Sequence, residues 1–250
     1  MKRLMGKIAI VTGGGSGIGA AVARAFAREG AEIAICGRRA QALEATREAI
    51  ASAGGTAVAV PADLTRREDV VRLVEAIRAR FGRLDVLLNN AGILGVHAPT
   101  AEYPEDAWDA VIAANLTAVF RLTKAALPFM PRGGSIINVS SSVGRIGRAG
   151  WGAYSVSKFG VEGLSQVLAN ELRERGIRVN TVNPGGTRTA MRAAAYPDED
   201  PMALPSPDDV TPIFVYLASD ESPDVTGRAF DARGWKPALE AAAGARFTSS

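Results

Sequence analysis

From Lys7 to Gly92, short apolar runs alternate with amphipathic stretches, and no hairpin signal separates them. Lys7–Thr12, Glu32–Gly37, Thr56–Pro61 and Asp85–Leu88 read as buried strands. Between them Ala20–Arg28, Ala40–Ala53 and Arg67–Phe81 carry helical periodicity; in the last, Val70, Val71, Val74, Ile77 and Phe81 recur on one stripe. Strands joined by helices must run parallel, and a parallel sheet needs both faces covered. The pattern continues through a helix over Pro104–Leu127, a strand Gly134–Ser140, a helix Gly150–Arg175, a strand Arg178–Asn183, a helix Asp208–Leu217 and a last strand Arg228–Asp231. The expectation is an α/β single domain over residues 1–250, a three-layer Rossmann fold with a doubly wound, parallel, seven-stranded sheet. Its core spans about 7–231, with a tail over 232–250.

Composition excludes several function classes. A net charge of +3 comes from arginines spread along the chain, so no basic block reads as a nucleic-acid stripe. One cysteine, Cys36, rules out an intrachain disulfide framework. One histidine, His97, argues against a Cys/His metal site and restricts any Ser-His-Asp triad to that residue. No run approaches the length of a membrane span, and Lys7 interrupts the apolar start, so no secretory leader is expected. A cytoplasmic setting is expected.

The first strand runs directly into Thr12-Gly13-Gly14-Gly15-Ser16-Gly17-Ile18-Gly19, and a helix follows. Glycines in that context let a pyrophosphate approach the backbone, and a helix N-terminus offers free N–H groups and partial positive charge. The spacing is T-G-x-x-x-G-x-G rather than G-x-G-x-x-G. At the end of the second strand a carboxylate would bond the ribose hydroxyls of NAD. That corner is Gly37-Arg38-Arg39, where guanidinium groups would pair with a 2′-phosphate. NADP is therefore the expected cofactor, with Arg38 the main contact and Arg39 the second; NAD is the alternative. Asp63 and Asn89–Gly92 fall at other strand ends, where ligands of such sheets bind.

Tyr154 and Lys158 stand four residues apart, one turn above the other on a helix face. A free phenol ionises near pH 10, and a neighbouring ammonium lowers that value, which makes the pair an acid/base device.

In combination these residues resemble the short-chain dehydrogenase/reductase family over about Lys7 to Asp231. The matching motifs are the Thr12–Gly19 loop, Asp63-Leu64, Asn89-Asn90-Ala91-Gly92, Asn115, Ser141, Tyr154 with Lys158, and Pro184-Gly185 followed by Thr187 and Thr189. The resemblance implies a catalytic set of Asn115, Ser141, Tyr154 and Lys158. Tyr154 would be the general acid/base and Ser141, thirteen positions before it, would bond the same substrate oxygen. Lys158 would hold the nicotinamide ribose and depress the Tyr154 pKa, and Asn115 would anchor a water in a proton relay. The loop Thr12, Gly13, Gly15, Ser16, Gly17, Ile18 and Gly19 would cradle the pyrophosphate. Asp63 and Leu64 would lie at the adenine; Asn89, Ala91 and Gly92 near its ribose; Pro184, Gly185, Thr187 and Thr189 at the nicotinamide carboxamide. No metal is implied.

The implied activity is NADP-dependent interconversion of a small carbonyl compound and its alcohol. A 3-oxoacyl-carrier-protein reductase is an alternative, because Arg132 and Arg175 stand where such enzymes dock an acidic carrier; an NAD-linked alcohol dehydrogenase is another. A nucleotide-binding regulator without turnover is a third, although such members usually lose the tyrosine or lysine. The partners implied are a small-molecule carbonyl or alcohol and further copies of the chain, as dimer or tetramer. Ala190–Ser206 departs from the family as a compressed, polar, proline-broken stretch, and the paired glycines usual after the last strand are missing. Trp151, His97, Val143, Arg145, Arg148 and Tyr196 flank the catalytic residues and are the candidate pocket wall.

Overall fold

The apolar runs are short, rich in β-branched residues and bounded by polar turns, so each forms a strand with side chains alternating between two faces. A computed structural model of the chain describes residues 2–236. Seven strands form one sheet in the order β3-β2-β1-β4-β5-β6-β7. They are β1 (Ile8–Thr12), β2 (Glu32–Gly37), β3 (Thr56–Pro61), β4 (Val86–Asn89), β5 (Ser135–Val139), β6 (Arg178–Asn183) and β7 (Ala229–Asp231). Every pairing is parallel. The chain winds outward from β1 to β3, then returns to start again at β4, so the switch point lies between β1 and β4. Crevices open at such points, beyond the carboxyl ends of the strands.

Alternation along β1 assigns the layers. Ala9 and Val11 face α1 (Gly17–Arg28) and α8 (Thr211–Ala218), packing with Val22, Phe26, Ile213 and Phe214. Ile10 faces the opposite layer, where Leu73 and Ile77 of α3 (Arg67–Phe81), Leu122 of α5 (Ala118–Ala126) and Leu168 of α6 (Gly152–Glu171) close a second core. Each such side chain contributes about 1.5–3 kcal/mol when fully buried. α2 (Ala40–Ser52) covers the first layer through Leu43 and Ile50.

One helical expectation is refined and one is corrected. The helical segment expected over Pro104–Leu127 is present, as α4 (Glu105–Ile112), a π-helical turn at Ala113–Thr117, and α5 in succession. The widened turn falls on Asn115, which needs a different set of partners from a regular helical residue. The stretch read as irregular after Thr189 contains α7 (Ala190–Ala195). Its cap is visible in the sequence: Thr189 Oγ1 accepts from the backbone N–H of Arg192 at 3.2 Å, and the helix is mostly alanine.

The helical segment Glu105–Phe129 is, by length and composition, apolar enough to cross a membrane, which corrects the expectation that no run is. Here Val111, Ala118, Val119, Leu122 and Ala126 are buried within the protein instead. Of the expected tail, residues 237–250 lie outside the described residues.

Candidate active site

The carboxyl ends of β1 and β4 are tied by one hydroxyl. Thr12 Oγ1 donates to the Leu88 carbonyl at 3.2 Å and accepts from the N–H groups of Asn90 and Ala91 at 2.8 and 2.9 Å. Asn90 Nδ2 returns a bond to the Thr12 carbonyl at 2.9 Å. A Cβ on Gly13 would lie 2.8 Å from that amide nitrogen, and one on Gly19 would run into the Gly13 carbonyl oxygen. Those two glycines are thus required by protein packing. Gly17 is different: its φ is +54°, and a Cβ there would meet only the Thr189 side chain, whose methyl is 3.3 Å away. Thr189, at the start of α7, therefore overhangs the glycine loop.

Ser16 precedes α1 without capping it, so the first N–H groups of that helix are left for another acceptor. The Ser16 hydroxyl instead accepts from Arg39 at 2.8 Å. Arg38 is exposed and makes no hydrogen bond or ion pair among the described residues. Arg39 thus reaches the glycine loop, and Arg38 stands next to it at the end of β2.

The other cofactor positions divide into two groups. Asp63 accepts from the Thr65 N–H and hydroxyl at 3.0 and 2.8 Å, and Leu64 is buried beneath it. Gly185 (φ +70°), Thr187 and Thr189 shape the turn after β6, in which Thr187 Oγ1 donates to the Pro184 carbonyl at 3.3 Å. Asn89 turns its side chain inward. Its amide donates inward to Asn138 Oδ1 at 2.8 Å and Thr123 Oγ1 at 3.2 Å, so its side chain serves the core while its main chain remains at the cleft. Asn90, unassigned by sequence reasoning, makes the tie that orders the loop; its position in the Asn89–Gly92 motif is the available signal.

The four expected catalytic residues converge through short bonded paths. Asn115 Oδ1 accepts from the Ile93 N–H at 2.8 Å, and its Nδ2 donates to the Ile93 carbonyl at 2.9 Å and Ser157 Oγ at 3.1 Å. Ser157 donates to the Tyr154 carbonyl at 2.7 Å, so the π-turn braces α6 directly behind the phenol. Gly92 leaves room for this, since a Cβ there would stand 3.0 Å from Asn115 Oδ1. On the other side, the turn after β5 packs on α6 because Gly144 lets it approach: a Cβ would lie 2.8 Å from that of Lys158. Ser155 Oγ fixes the same turn by donating to the Val143 carbonyl. Ser141 thereby meets the Tyr154 hydroxyl. Ser140 is instead buried, with its hydroxyl unpartnered among the described residues.

Burial dominates the electrostatics of the Tyr154–Lys158 pair. Burial pushes the Tyr154 phenol up to about 12, and a hydrogen bond with Ser141 opposes this. The Lys158 ammonium donates to the Val139 carbonyl at 2.7 Å and lies 5.6 Å from the centre of the Tyr154 ring. Burial lowers its own pKa to about 8, against the opposing charge of Glu162 one turn further along α6. Glu162 is held by the Thr181 hydroxyl at 2.7 Å and by Arg145 at 3.4 Å.

Beside Tyr154 a cavity of about 110 Å³ is lined by residues including Leu94, Val96, His97, Trp151 and, from α7, Ala194. Trp151 is ringed by His97 (5.7 Å, edge-on), Tyr154 (5.8 Å) and Tyr196 (5.9 Å). Gly150 (φ +80°) admits the His97 ring against the backbone where any Cβ would collide with it. Of the expected wall, Trp151 and His97 line the cavity and Tyr196 backs it. Val143 is buried, Arg148 is exposed, and Arg145 points to Asp231 (3.1 Å) and Glu162, tying β7 to α6. Within its own excursion α7 is braced by Arg192, paired to Glu199 through two bonds of 2.6 and 2.7 Å and stacked on Tyr196 at 3.7 Å. The excursion carrying α7 is closed at its base, where the Arg188 N–H donates to the Pro205 carbonyl at 2.9 Å.

Comparison with known proteins decides the family. The model of the short chain dehydrogenase family matches residues 7–200. The chain belongs to the short-chain dehydrogenase/reductase family of oxidoreductases. It is 42% identical over 239 residues to the oxidoreductase YciK of Escherichia coli, covering 93% of this chain and 94% of that one. A short chain dehydrogenase of Escherichia coli, crystallised with NADPH, superposes with a TM-score of 0.89 at 43% identity, over 93% of this chain and 98% of that one. The 3-oxoacyl-[acyl-carrier-protein] reductase FabG of Thermotoga maritima is 38% identical over 236 residues, covering 90% of this chain and 96% of that one. The expected fold, a doubly wound parallel sheet of seven strands, is the one observed.

Proposed function

We propose that this dehydrogenase interconverts a small carbonyl compound and its alcohol, using NADP(H). The observation that carries the reading is Tyr154 placed between the Ser141 hydroxyl and an apolar cavity, at the carboxyl edge of the sheet and beside a glycine loop. The loop suits a dinucleotide: α1 begins uncapped, Gly17 has no side chain facing Thr189, and two guanidiniums stand at the end of β2.

Gly13, Gly15, Ser16, Gly17, Ile18 and Gly19 would hold the pyrophosphate, with Arg38 and Arg39 at a 2′-phosphate. Asp63 and Leu64 would border the adenine, and the main chain of Asn89, Ala91 and Gly92 its ribose. Pro184, Gly185, Thr187 and Thr189 would border the carboxamide. A nicotinamide bound there would supply hydride to the carbonyl carbon, or take it from the alcohol carbon. Tyr154 gives its proton to the carbonyl oxygen as charge develops there, and Ser141 donates a second hydrogen bond to the same atom. Lys158 contributes positive charge beneath the phenol. Both amide hydrogens of Asn115 are engaged, so a relay water would be held by its remaining acceptor capacity or by the π-turn main chain.

NADP preference draws on the Arg38-Arg39 pair and on the relative crystallised with NADPH. Side-by-side titration with NADPH and NADH tests it: markedly tighter NADPH binding is expected, and equal or tighter NADH binding overturns it.

The FabG relative favours a second reading, reduction of a carrier-bound 3-oxoacyl group. Within one chain, however, Arg132 and Arg175 precede β5 and β6 and so lie at the amino edge of the sheet, opposite Ser141. They bond the Glu174 and Leu127 carbonyls, at 2.8 and 2.7 Å, which ties two turns together. Turnover of an acetoacetyl thioester in preference to simple ketones would establish the second reading.

A homo-oligomer is part of the proposal. Val156, Phe159 and Val167 form an exposed stripe on α6, with Gly163 open between them, whereas Gly160 is already filled by Leu116. Light scattering distinguishes dimer, tetramer and monomer. Cytoplasmic residence also belongs to the proposal, since the free, buried Cys36 needs no oxidising compartment.

A further inference from the structure

Resting on the carbonyl-reductase reading, we propose that the substrate is a small uncharged carbonyl compound whose flat apolar body, about one six-membered ring, sits against the Trp151 indole. Volume sets the size. The cavity beside Tyr154 measures about 110 Å³, close to the roughly 150 Å³ apolar cavity that admits benzene. A long acyl chain or a fused ring system with its carbonyl at Tyr154 exceeds this volume and would have to extend out of the cavity mouth.

Chemistry of the lining sets the charge. Among the described residues, no lysine, arginine, aspartate or glutamate lines the cavity. A carboxylate or phosphate on the substrate would be buried there without a counterion, at a heavy desolvation cost. Arg192 is near but committed: its guanidinium is bidentate to Glu199 and stacked on Tyr196. Its side chain therefore serves the roof rather than an anionic ligand.

Rigidity sets the shape. Trp151 contacts His97, Tyr154 and Tyr196, with ring centres 5.7, 5.8 and 5.9 Å away, so the indole is fixed before any ligand arrives. A flat ring gains offset or edge contacts with such a wall, and an aliphatic chain of equal volume gains fewer.

The test is a panel assayed by NADPH consumption: benzaldehyde and cyclohexanone, 4-carboxybenzaldehyde, and the bicyclic 1-tetralone. We expect kcat/KM for the neutral single rings to exceed that for the carboxylated aldehyde by at least about tenfold. In Trp151→Ala the neutral rings lose about tenfold, mainly through KM, while 1-tetralone gains. Independently of turnover, benzyl alcohol titrated into the NADPH complex quenches indole fluorescence, and Trp151→Phe removes that quench. Equal or better use of 4-carboxybenzaldehyde or 1-tetralone by the unaltered protein overturns the proposal. Quenching without turnover of any carbonyl supports the pocket assignment and defeats the carbonyl-reductase reading. Neither turnover nor quenching overturns both.

Discussion

The cofactor side and the substrate side of the cleft are fastened in different ways. At the glycine loop, Thr12 and Asn90 take part in four hydrogen bonds that all involve backbone, and Gly13 and Gly19 close the space around them. At α7, the fastening is one partly exposed ion pair, Arg192–Glu199, and a run of aromatic contacts ending at Trp151. Buried backbone bonds resist change because breaking them strands a desolvated group. A surface pair in water contributes little to global stability. The first region is thus part of the folding unit, and the second is a local arrangement laid across it.

The comparison can be broken most severely at the residue both regions face. Tyr154→Phe is expected to lower turnover by about 10²–10⁴-fold or more, the range of a lost general acid, while NADPH binding by fluorescence stays near that of the parent. Normal turnover would remove Tyr154 from its role. On the cofactor side, Gly19→Ala drives a Cβ into the Gly13 carbonyl and Asn90, and Thr12→Val removes the shared hydroxyl. Each is expected to cost about 1–3 kcal/mol in urea unfolding and to weaken nucleotide binding as well.

The pH profile sharpens the comparison. Tyr154, pushed up to about 12, stays protonated across the working range, while Lys158, lowered to about 8, carries its charge below that value and loses it above. Reductive kcat/KM is expected to be level below about 8 and to fall above it, by up to about tenfold per pH unit. The oxidative direction, which needs the phenolate, should rise with pH instead. A reductive rate that climbs through the same range would contradict this assignment. The smallest effect is expected on the substrate side: Glu199→Gln should leave the unfolding midpoint nearly unmoved and raise KM with little change in kcat. A large loss of stability would show that α7 belongs to the folding unit after all.

The difference between the regions also decides what the sequence can reveal. Strand periodicity, the glycine loop and the Tyr154–Lys158 spacing depend on local geometry, so they are readable from the order of residues alone. Three things are not. The inward turn of the Asn89 side chain depends on Asn138 and Thr123, distant in sequence. The position of the Lys158 ammonium at the Val139 carbonyl depends on how β5 meets α6. Helix α7 is hidden by the prolines that dominate its surroundings, although Thr189 and the alanines after it carry the cap and the propensity.

The free thiol of Cys36 illustrates the same lesson on the opposite layer: burial pushes it up to about 12, so it is inert packing within the sheet.

The bond between Arg188 and Pro205 closes the base of the α7 excursion at 2.9 Å. That bond joins the two ends of the segment, one following β6 and the other leading to α8, and loop-closure entropy changes only slowly with the length between them. Residues 190–204, beyond Thr189, thus form a roof whose length can change at small entropic cost while the floor and its catalytic groups stay as they are.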